Sequence, residues 1–165
     1  MKIIWRLVLV AALAALGVWL WTVFFPSPER AIRHHLIQLA KDVSFSNTTG
    51  GWSRLAGAES VAGFFDTNVE VNINVPGHEQ HTFTARAEIT QAALASRKEV
   101  SSLSVRFPDI NLTVAPDKTS AIADVTVMVN IAGEQDAIVQ ELKITFVKSE
   151  GQWLIQKIET VRTVS

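Results

Sequence analysis

The sequence predicts an α+β protein, with an apolar N-terminal segment followed by three helices and an antiparallel sheet of about six strands. Residues 7–25 contain no charged side chain. Apolar residues then recur at helical spacing through the next part of the chain. From Val69 onward, apolar and polar residues mostly alternate, as in strands with one buried face. The total of 165 residues suits one domain plus an additional segment.

The first segment, "LVLVAALAALGVWLWTVFF", is predicted to be a transmembrane helix over residues 7–25. Such a helix extends roughly 28 Å at 1.5 Å per residue, which is close to the thickness of a hydrocarbon core. Lys2 and Arg6 precede it, so we expect the N-terminus to stay in the cytoplasm. Ala12-Leu13-Ala14 resembles a cleavage site, so a cleaved signal peptide is the alternative.

These features predict two parts of the chain. Residues 1–26 would form a cytoplasmic tail and an anchor that contacts the lipid bilayer. Residues 27–165 would form the exported domain. We therefore expect a single-pass protein of the bacterial inner membrane, with its C-terminal domain in the periplasm.

Two helices are predicted directly after the anchor. Ser27 can cap the first helix and Pro28 fits its first position. Its apolar stripe consists of Ile32, Leu36, Leu39, Ala40 and Val43. The second helix is predicted to begin near Ser53 and to bury Leu55, Ala58, Ala62 and Phe65.

A hairpin, a third helix and four strands follow. Pro76-Gly77 is a turn signal between the alternating residues that begin at Val69 and those around Phe83. The third helix is predicted over residues 88–99. In the next strand the phase of the alternation changes at Pro108, which predicts a bulge that bends the strand. Gly151 lies in the last hairpin loop, where a positive φ is expected.

This order of elements resembles the nuclear-transport-factor-2-like superfamily, which includes SnoaL-like proteins and ketosteroid isomerase. The resemblance covers about residues 27–165, and it depends on "VAGFFDTNVEV", the bent strand at Pro108 and the closing hairpin "KSEGQWLIQKIET". It implies a cone in which a curved sheet wraps around the helices and often leaves a pocket. Homodimers through the outer face of the sheet are common in this fold, so a homodimer is expected.

The resemblance and the junctions between elements suggest candidate pocket residues. Asp66 follows the second helix, near the expected pocket mouth, where a carboxylate could act as a base. Its alternative role is to bind backbone groups at the junction between helix and strand. Arg86 stands between a strand and a helix, where it could bind an anion or pair with a nearby acid. The ligand-binding candidates are Phe65, Asp66, Phe83, Arg86 and Phe107.

The histidines at the predicted hairpin tip do not suggest a metal site. His78 and His81 are offset by an odd number of residues, so regular strand geometry points them to opposite faces. A third ligand would have to come from Glu79 or from a distant residue. We therefore expect neither a metal nor another cofactor.

The sequence lacks the residues that several classes of function require. With 15 basic and 16 acidic residues, the chain has no basic excess for nucleic acid. It has no Cys for thiolate chemistry and no Tyr for the oxyanion hole of a ketosteroid-isomerase-like site. No nucleophile elbow or phosphate-binding glycine loop is present.

The sequence thus favours a non-catalytic, membrane-anchored module that binds a small apolar ligand or an envelope protein partner. One alternative is a structural subunit of an envelope or secretion assembly. Another is a SnoaL-like isomerase or hydrolase-type enzyme that uses Asp66.

Overall fold

Helices cover one face of a six-stranded sheet. The computed structural model describes residues 10–20, 27–46, 51–74 and 80–161. The helices in these ranges are α1 at residues 10–20, α2 at Pro28–Val43, α3 at Gly51–Ala62 and α4 at Arg86–Glu99. The strands are β1 at Phe65–Ile73, β2 at His81–Phe83, β3 at Leu103–Val114, β4 at Ser120–Ile131, β5 at Ile138–Ser149 and β6 at Gln152–Thr160.

The predicted transmembrane helix is wrong. None of the helices in the described ranges combines the length and the apolar character that crossing a bilayer requires. Residues 7–9 and 21–25 of the predicted span lie outside the described residues. The predicted single-pass placement in the inner membrane depended on this anchor and is wrong with it.

The predicted six-stranded sheet and its hairpins are confirmed, with one difference in strand direction. The strand order is β2-β1-β6-β5-β4-β3. Neighbouring strands are antiparallel except β1 and β6, which pair in parallel. Alternation along a strand reports which face is buried but not the direction of a partner distant in sequence, so the sequence predicted an antiparallel sheet throughout.

α2 and α3 lie near their predicted positions, but α3 ends at Ala62, and Phe65, which was predicted on that helix, is the first residue of β1. Ser27 caps α2 by accepting a hydrogen bond from the Arg30 amide at 3.4 Å, and Pro28 occupies the first turn. The predicted stripe of α2 includes its buried residues Ile32, Leu36, Leu39 and Ala40. The third predicted helix begins two residues earlier than expected, at Arg86.

The core lies between these helices and the inner face of the sheet. Its largest fully buried side chains are Phe146, Ile32, Leu36, Ile144, Ile155 and Val69. They come from α2 and from the strands β1, β5 and β6. Residues from early and late in the sequence therefore form one apolar layer.

The predicted hairpin between β1 and β2 is confirmed, because Val71 pairs with Phe83 and Ile73 with His81. His78, Glu79 and the Pro76-Gly77 turn lie outside the described residues. The ring of His81 is stacked on that of Phe83, with a centroid separation of 6.3 Å. The expectation that this tip holds no metal stays a prediction.

The outer face of the sheet carries a row of alternating charges. Asp124 on β4 lies opposite Lys143 on β5, which in turn lies opposite Glu159 on β6. Oppositely charged neighbours on adjacent strands are favourable in a sheet. Glu159 also forms an ion pair with Lys157 at 3.0 Å. The homodimer expected through this face stays a prediction.

Candidate functional site

The predicted site residues do not converge on one pocket. Phe65 is 6% exposed and belongs to the core. The guanidinium of Arg86 donates a hydrogen bond to the main-chain oxygen of Phe65. Phe83 lines a groove of about 410 Å³ between β2 and α4. Phe107 lines a different groove, between α2 and β3. The structure therefore brings Phe65 and Arg86 together and leaves the others apart.

Asp66 is the second residue of β1, and its side chain binds a nearby main-chain amide. Its Oδ1 accepts a hydrogen bond from the main-chain N–H of Asn68 at 3.0 Å. This is an Asx-type interaction, in which a carboxylate replaces a backbone acceptor. The geometry matches the alternative role for Asp66, at a junction between helix and strand. It gives no support to a catalytic base at this position.

The groove between α2 and β3 is the candidate binding site, and we call it the α2–β3 groove. Its volume of about 630 Å³ falls within the common range for small-molecule pockets, about 300–1,000 Å³. Most of its lining is apolar. The lining residues are Ile37, Ala40, Lys41, Val105, Arg106, Phe107, Pro108 and Met128.

Hydrogen bonds attach α2 to β3 on both sides of this groove. Toward the start of the helix, Arg33 Nη2 donates to the main-chain oxygen of Ile110 at 3.1 Å. Just past its end, Ser44 Oγ accepts from the Val105 amide at 2.9 Å. Phe45 and Leu103 then form an antiparallel bridge. Since both ends are tied, the space between them is part of the fold and does not need a ligand to form.

The bulge predicted at Pro108 is confirmed, and it shapes the groove. The register between β3 and β4 shifts between Arg106 and Asp109. Phe107 and Pro108 therefore lie between the two regular stretches of pairing, and Pro108 has no amide hydrogen to donate. In addition, β3 is an edge strand. Side chains from both of its faces can thus line one opening, which explains why four consecutive residues, Val105–Pro108, contribute.

The charged groups of the α2–β3 groove are both cations. Lys41 comes from α2 and Arg106 from β3, and both residues are exposed. Within the described ranges, neither of them forms an ion pair. The guanidinium of Arg106 lies 3.7 Å from the sulfur of Met128, which is only a weak acceptor. The described lining residues include no carboxylate, imidazole or hydroxyl side chain.

Sequence reasoning found Phe107 but missed Ile37, Lys41, Arg106 and Met128. One signal for Ile37 was available, because this apolar residue lies outside the buried stripe of α2 and is 54% exposed. No comparable signal existed for the cations. Their meeting depends on the packing of α2 against β3, which local sequence patterns do not encode.

A histidine lies in the interior, away from the groove. Nε2 of His35 lies 3.3 Å from the main-chain oxygen of Phe64, so this nitrogen carries the proton and donates it. The ring also contacts the edges of Phe64 and Phe146, at centroid distances of 4.7 and 6.0 Å. Burial lowers the pKa of His35, and the nearby His34 lowers it further, although the hydrogen bond opposes both effects. The fold therefore favours the neutral ring.

The buried cation Arg97 was not anticipated from the sequence. It is 5% exposed, and its guanidinium donates to the main-chain oxygens of Ala93 and Asp42 at 2.9 and 2.8 Å. The same group lies 5.1 Å from the centroid of the Phe45 ring. Burial lowers the pKa of Arg97, and the charge of Asp42 partly offsets this effect. Arg97 thus joins α4 to the end of α2, which gives it a structural role.

No group of three His, Cys, Asp or Glu side chains is placed to hold a metal ion in the ranges that the structure describes. The α2–β3 groove offers Lys and Arg as its polar groups. Neither side chain is a usual ligand for a metal ion at neutral pH. What the groove can provide is apolar contact and positive charge.

Comparisons with known proteins identify the fold. No family model and no curated protein matches the sequence. The structure is similar to a putative scytalone dehydratase from Novosphingobium aromaticivorans, with a TM-score of 0.58 and 18% identity over 82% of this chain and 85% of that chain. It is also similar to an NTF2-like protein of unknown function from Pseudomonas putida, with a TM-score of 0.63 and 10% identity over 86% and 90% of the two chains.

A third similar structure is an uncharacterised protein with a cystatin-like fold from Caulobacter vibrioides. Its TM-score is 0.57, with 22% identity over 81% of this chain and 89% of that chain. At these identities the likeness concerns the fold alone. The chain therefore has the α+β cone of NTF2-like proteins, as the resemblance implied.

Proposed function

We propose that this protein is a non-catalytic binding module that holds a small apolar molecule in the α2–β3 groove. The observation that carries the proposal is a mostly apolar groove of about 630 Å³, formed where a bulged edge strand is tied to a helix at both ends. A site of this kind is held open by the fold. It binds through apolar contact, with few polar groups to orient the ligand.

The lining of the groove supports binding over catalysis. Isomerase-type chemistry of this fold requires a base close to the substrate, usually a carboxylate. Lys41 and Arg106 are the charged lining residues that the structure describes, and neither offers a carboxylate or an imidazole. Asp66 binds the Asn68 amide, and His35 packs in the interior. Neither of these two candidate bases lines the groove.

The proposal can be tested with N-phenylnaphthylamine, a neutral apolar dye whose fluorescence rises when water is excluded. We expect saturable binding with one site per chain. Ile37→Gln removes apolar surface from the groove and should weaken binding by roughly five- to tenfold, given about 25 cal/mol per Å² of buried apolar area.

Ile122→Gln is the matched control for this variant, because it makes the same substitution at another exposed isoleucine. Ile122 is 42% exposed and does not line the groove, whereas Ile37 is 54% exposed and does. The control should bind the dye as tightly as the unaltered protein. Equal losses in both variants, or no saturable binding at all, would contradict the proposal.

A further inference from the structure

The two cations of the α2–β3 groove define the ligand more closely. They stand at an otherwise apolar surface, and the described lining includes no acid that would neutralise them. The chain as a whole carries a net charge of −1, so this positive pair is a local feature and does not reflect a general basic surface. An apolar ligand with an anionic group would satisfy both parts of the groove.

We propose that the natural ligand is an anionic amphiphile, a single apolar tail that ends in a carboxylate or a phosphate. The tail would contact Ile37, Val105 and Phe107, and the anionic group would lie between Lys41 and Arg106. This inference rests on the proposed binding function and specifies the ligand class of the same groove.

The chemistry of the two cations supports a small anionic head. The planar guanidinium of Arg106 can donate two parallel hydrogen bonds to a carboxylate or a phosphate. Its neighbour in the structure is the sulfur of Met128, which competes weakly for those donors. The ammonium of Lys41 adds a second positive charge from the opposite wall, on a flexible stem that can follow the head.

Both groups are also accessible. The side chains of Lys41 and Arg106 are exposed, and in the part of the chain that the structure describes neither has an ion-pair partner that an incoming ligand would displace. The charges are consequently exposed to solvent, and salt should weaken the attraction.

The test compares ligands that share one tail and differ in the head. Decanoate, decyl phosphate, decanol and decylamine are titrated against the full chain by calorimetry and by displacement of N-phenylnaphthylamine. We expect decanoate or decyl phosphate to bind about tenfold more tightly than decanol, because two partly exposed charge pairs contribute modestly. Decylamine should bind most weakly. The tighter of the two anions identifies the head.

Charge-removing variants then test whether the preference for anionic ligands over decanol arises in the groove. The double variant Lys41→Gln with Arg106→Gln should bring the affinity for the anions to within about twofold of that for decanol, while decanol binding stays unchanged. The double variant Arg30→Gln with Lys98→Gln is the matched control. It removes the same formal charge from exposed positions outside the groove, and it should keep the preference.

Different outcomes separate the two proposals. If decanoate, decyl phosphate and decanol bind equally and all depend on Ile37, the anionic head is wrong and the binding function stands. If the control pair abolishes the preference as well, general charge explains it and the inference is wrong. If no ligand of the series binds in a manner that depends on Ile37, the proposed function itself is wrong.

Discussion

The guanidinium of Arg97 donates a hydrogen bond to the main-chain oxygen of Asp42 at 2.8 Å, across 55 positions of sequence. Asp42 lies in the last turn of α2, where main-chain oxygens have no partner within the helix. The contact therefore satisfies the end of α2 with a donor from α4. It also neutralises part of the negative potential that collects at a helix C-terminus.

Arg97→Ala should destabilise the fold by about 2–3 kcal/mol, because it removes two hydrogen bonds from partly buried oxygens and leaves a cavity. Urea unfolding followed by circular dichroism measures the change. Lys98→Ala, an exposed neighbour on the same helix, is the control and should change stability by less than about 0.5 kcal/mol. Equal effects of the two variants would show that the contacts of Arg97 contribute little.

Gly57 provides a second test of the same contact. A Cβ at this position would lie 3.2 Å from Nη2 of Arg97. Within a helix, Ala is favoured over Gly by about 1 kcal/mol. We therefore expect Gly57→Ala to stabilise the Arg97→Ala variant by up to about 1 kcal/mol but to give no gain in the unaltered protein. An equal gain in both backgrounds would mean that Arg97 moves aside without cost.

Trp153→Ala should cost about 3 kcal/mol or more, since the Trp153 side chain is 7% exposed and belongs to the core. The ring also lies 6.0 Å from Nζ of Lys148, a cation–π contact at the surface. Trp153→Phe, which retains an aromatic ring, should cost clearly less. Thermal and urea unfolding would compare the two variants, and a loss below roughly 0.5 kcal/mol for Trp153→Ala would be incompatible with this burial.

His35 should make the stability depend on pH. Burial lowers the pKa of His35 from its ordinary value of 6.5, so the unfolded chain binds more protons than the folded chain as the pH falls below that value. The free energy of unfolding should therefore fall from about pH 7 downward.

Two variants test whether His35 causes this pH dependence of the free energy of unfolding. His35→Gln should flatten this dependence, whereas His34→Gln, at the exposed neighbouring position, should leave most of it in place. Urea unfolding at a series of pH values measures the slopes. A slope that survives His35→Gln would belong to another group.

Two variants of Asp66 test whether this residue binds a main-chain amide or acts as a catalytic base. Asp66→Asn keeps an oxygen that can accept from the Asn68 amide, so stability should change by less than about 0.5 kcal/mol. Asp66→Ala removes the acceptor and should cost roughly 0.5–1 kcal/mol. Binding to the α2–β3 groove should be unaffected in both variants. A loss of ligand binding in Asp66→Asn, without a loss of stability, would place the site elsewhere.

Local sequence patterns predicted the kind and the order of the elements in the domain. Apolar spacing predicted α2, because a helix must bury one stripe. Alternation predicted β4 and its buried Ala123 and Val125. The bulge at Pro108 was also predictable, since a residue without an amide hydrogen interrupts pairing locally. These signals lie within short stretches of chain.

The same local reasoning failed at the N-terminus. The apolar composition of residues 7–25 predicted a membrane-spanning helix. No helix in the ranges that the structure describes is long and apolar enough for that role. Composition reports how apolar a segment is, but it does not by itself establish a membrane-spanning helix.

Contacts between residues far apart in sequence could not be predicted from these local patterns. The parallel pairing of β1 with β6, the burial of Arg97 against α2 and the joining of Lys41 and Arg106 at one groove all depend on the packing of elements far apart in sequence. Hydrophobic patterning determines which face of an element is buried, and it is almost silent about which other element covers that face. The candidate site lies at such a meeting, between a helix and an edge strand, and for this reason the sequence contributed Phe107 and little else to it.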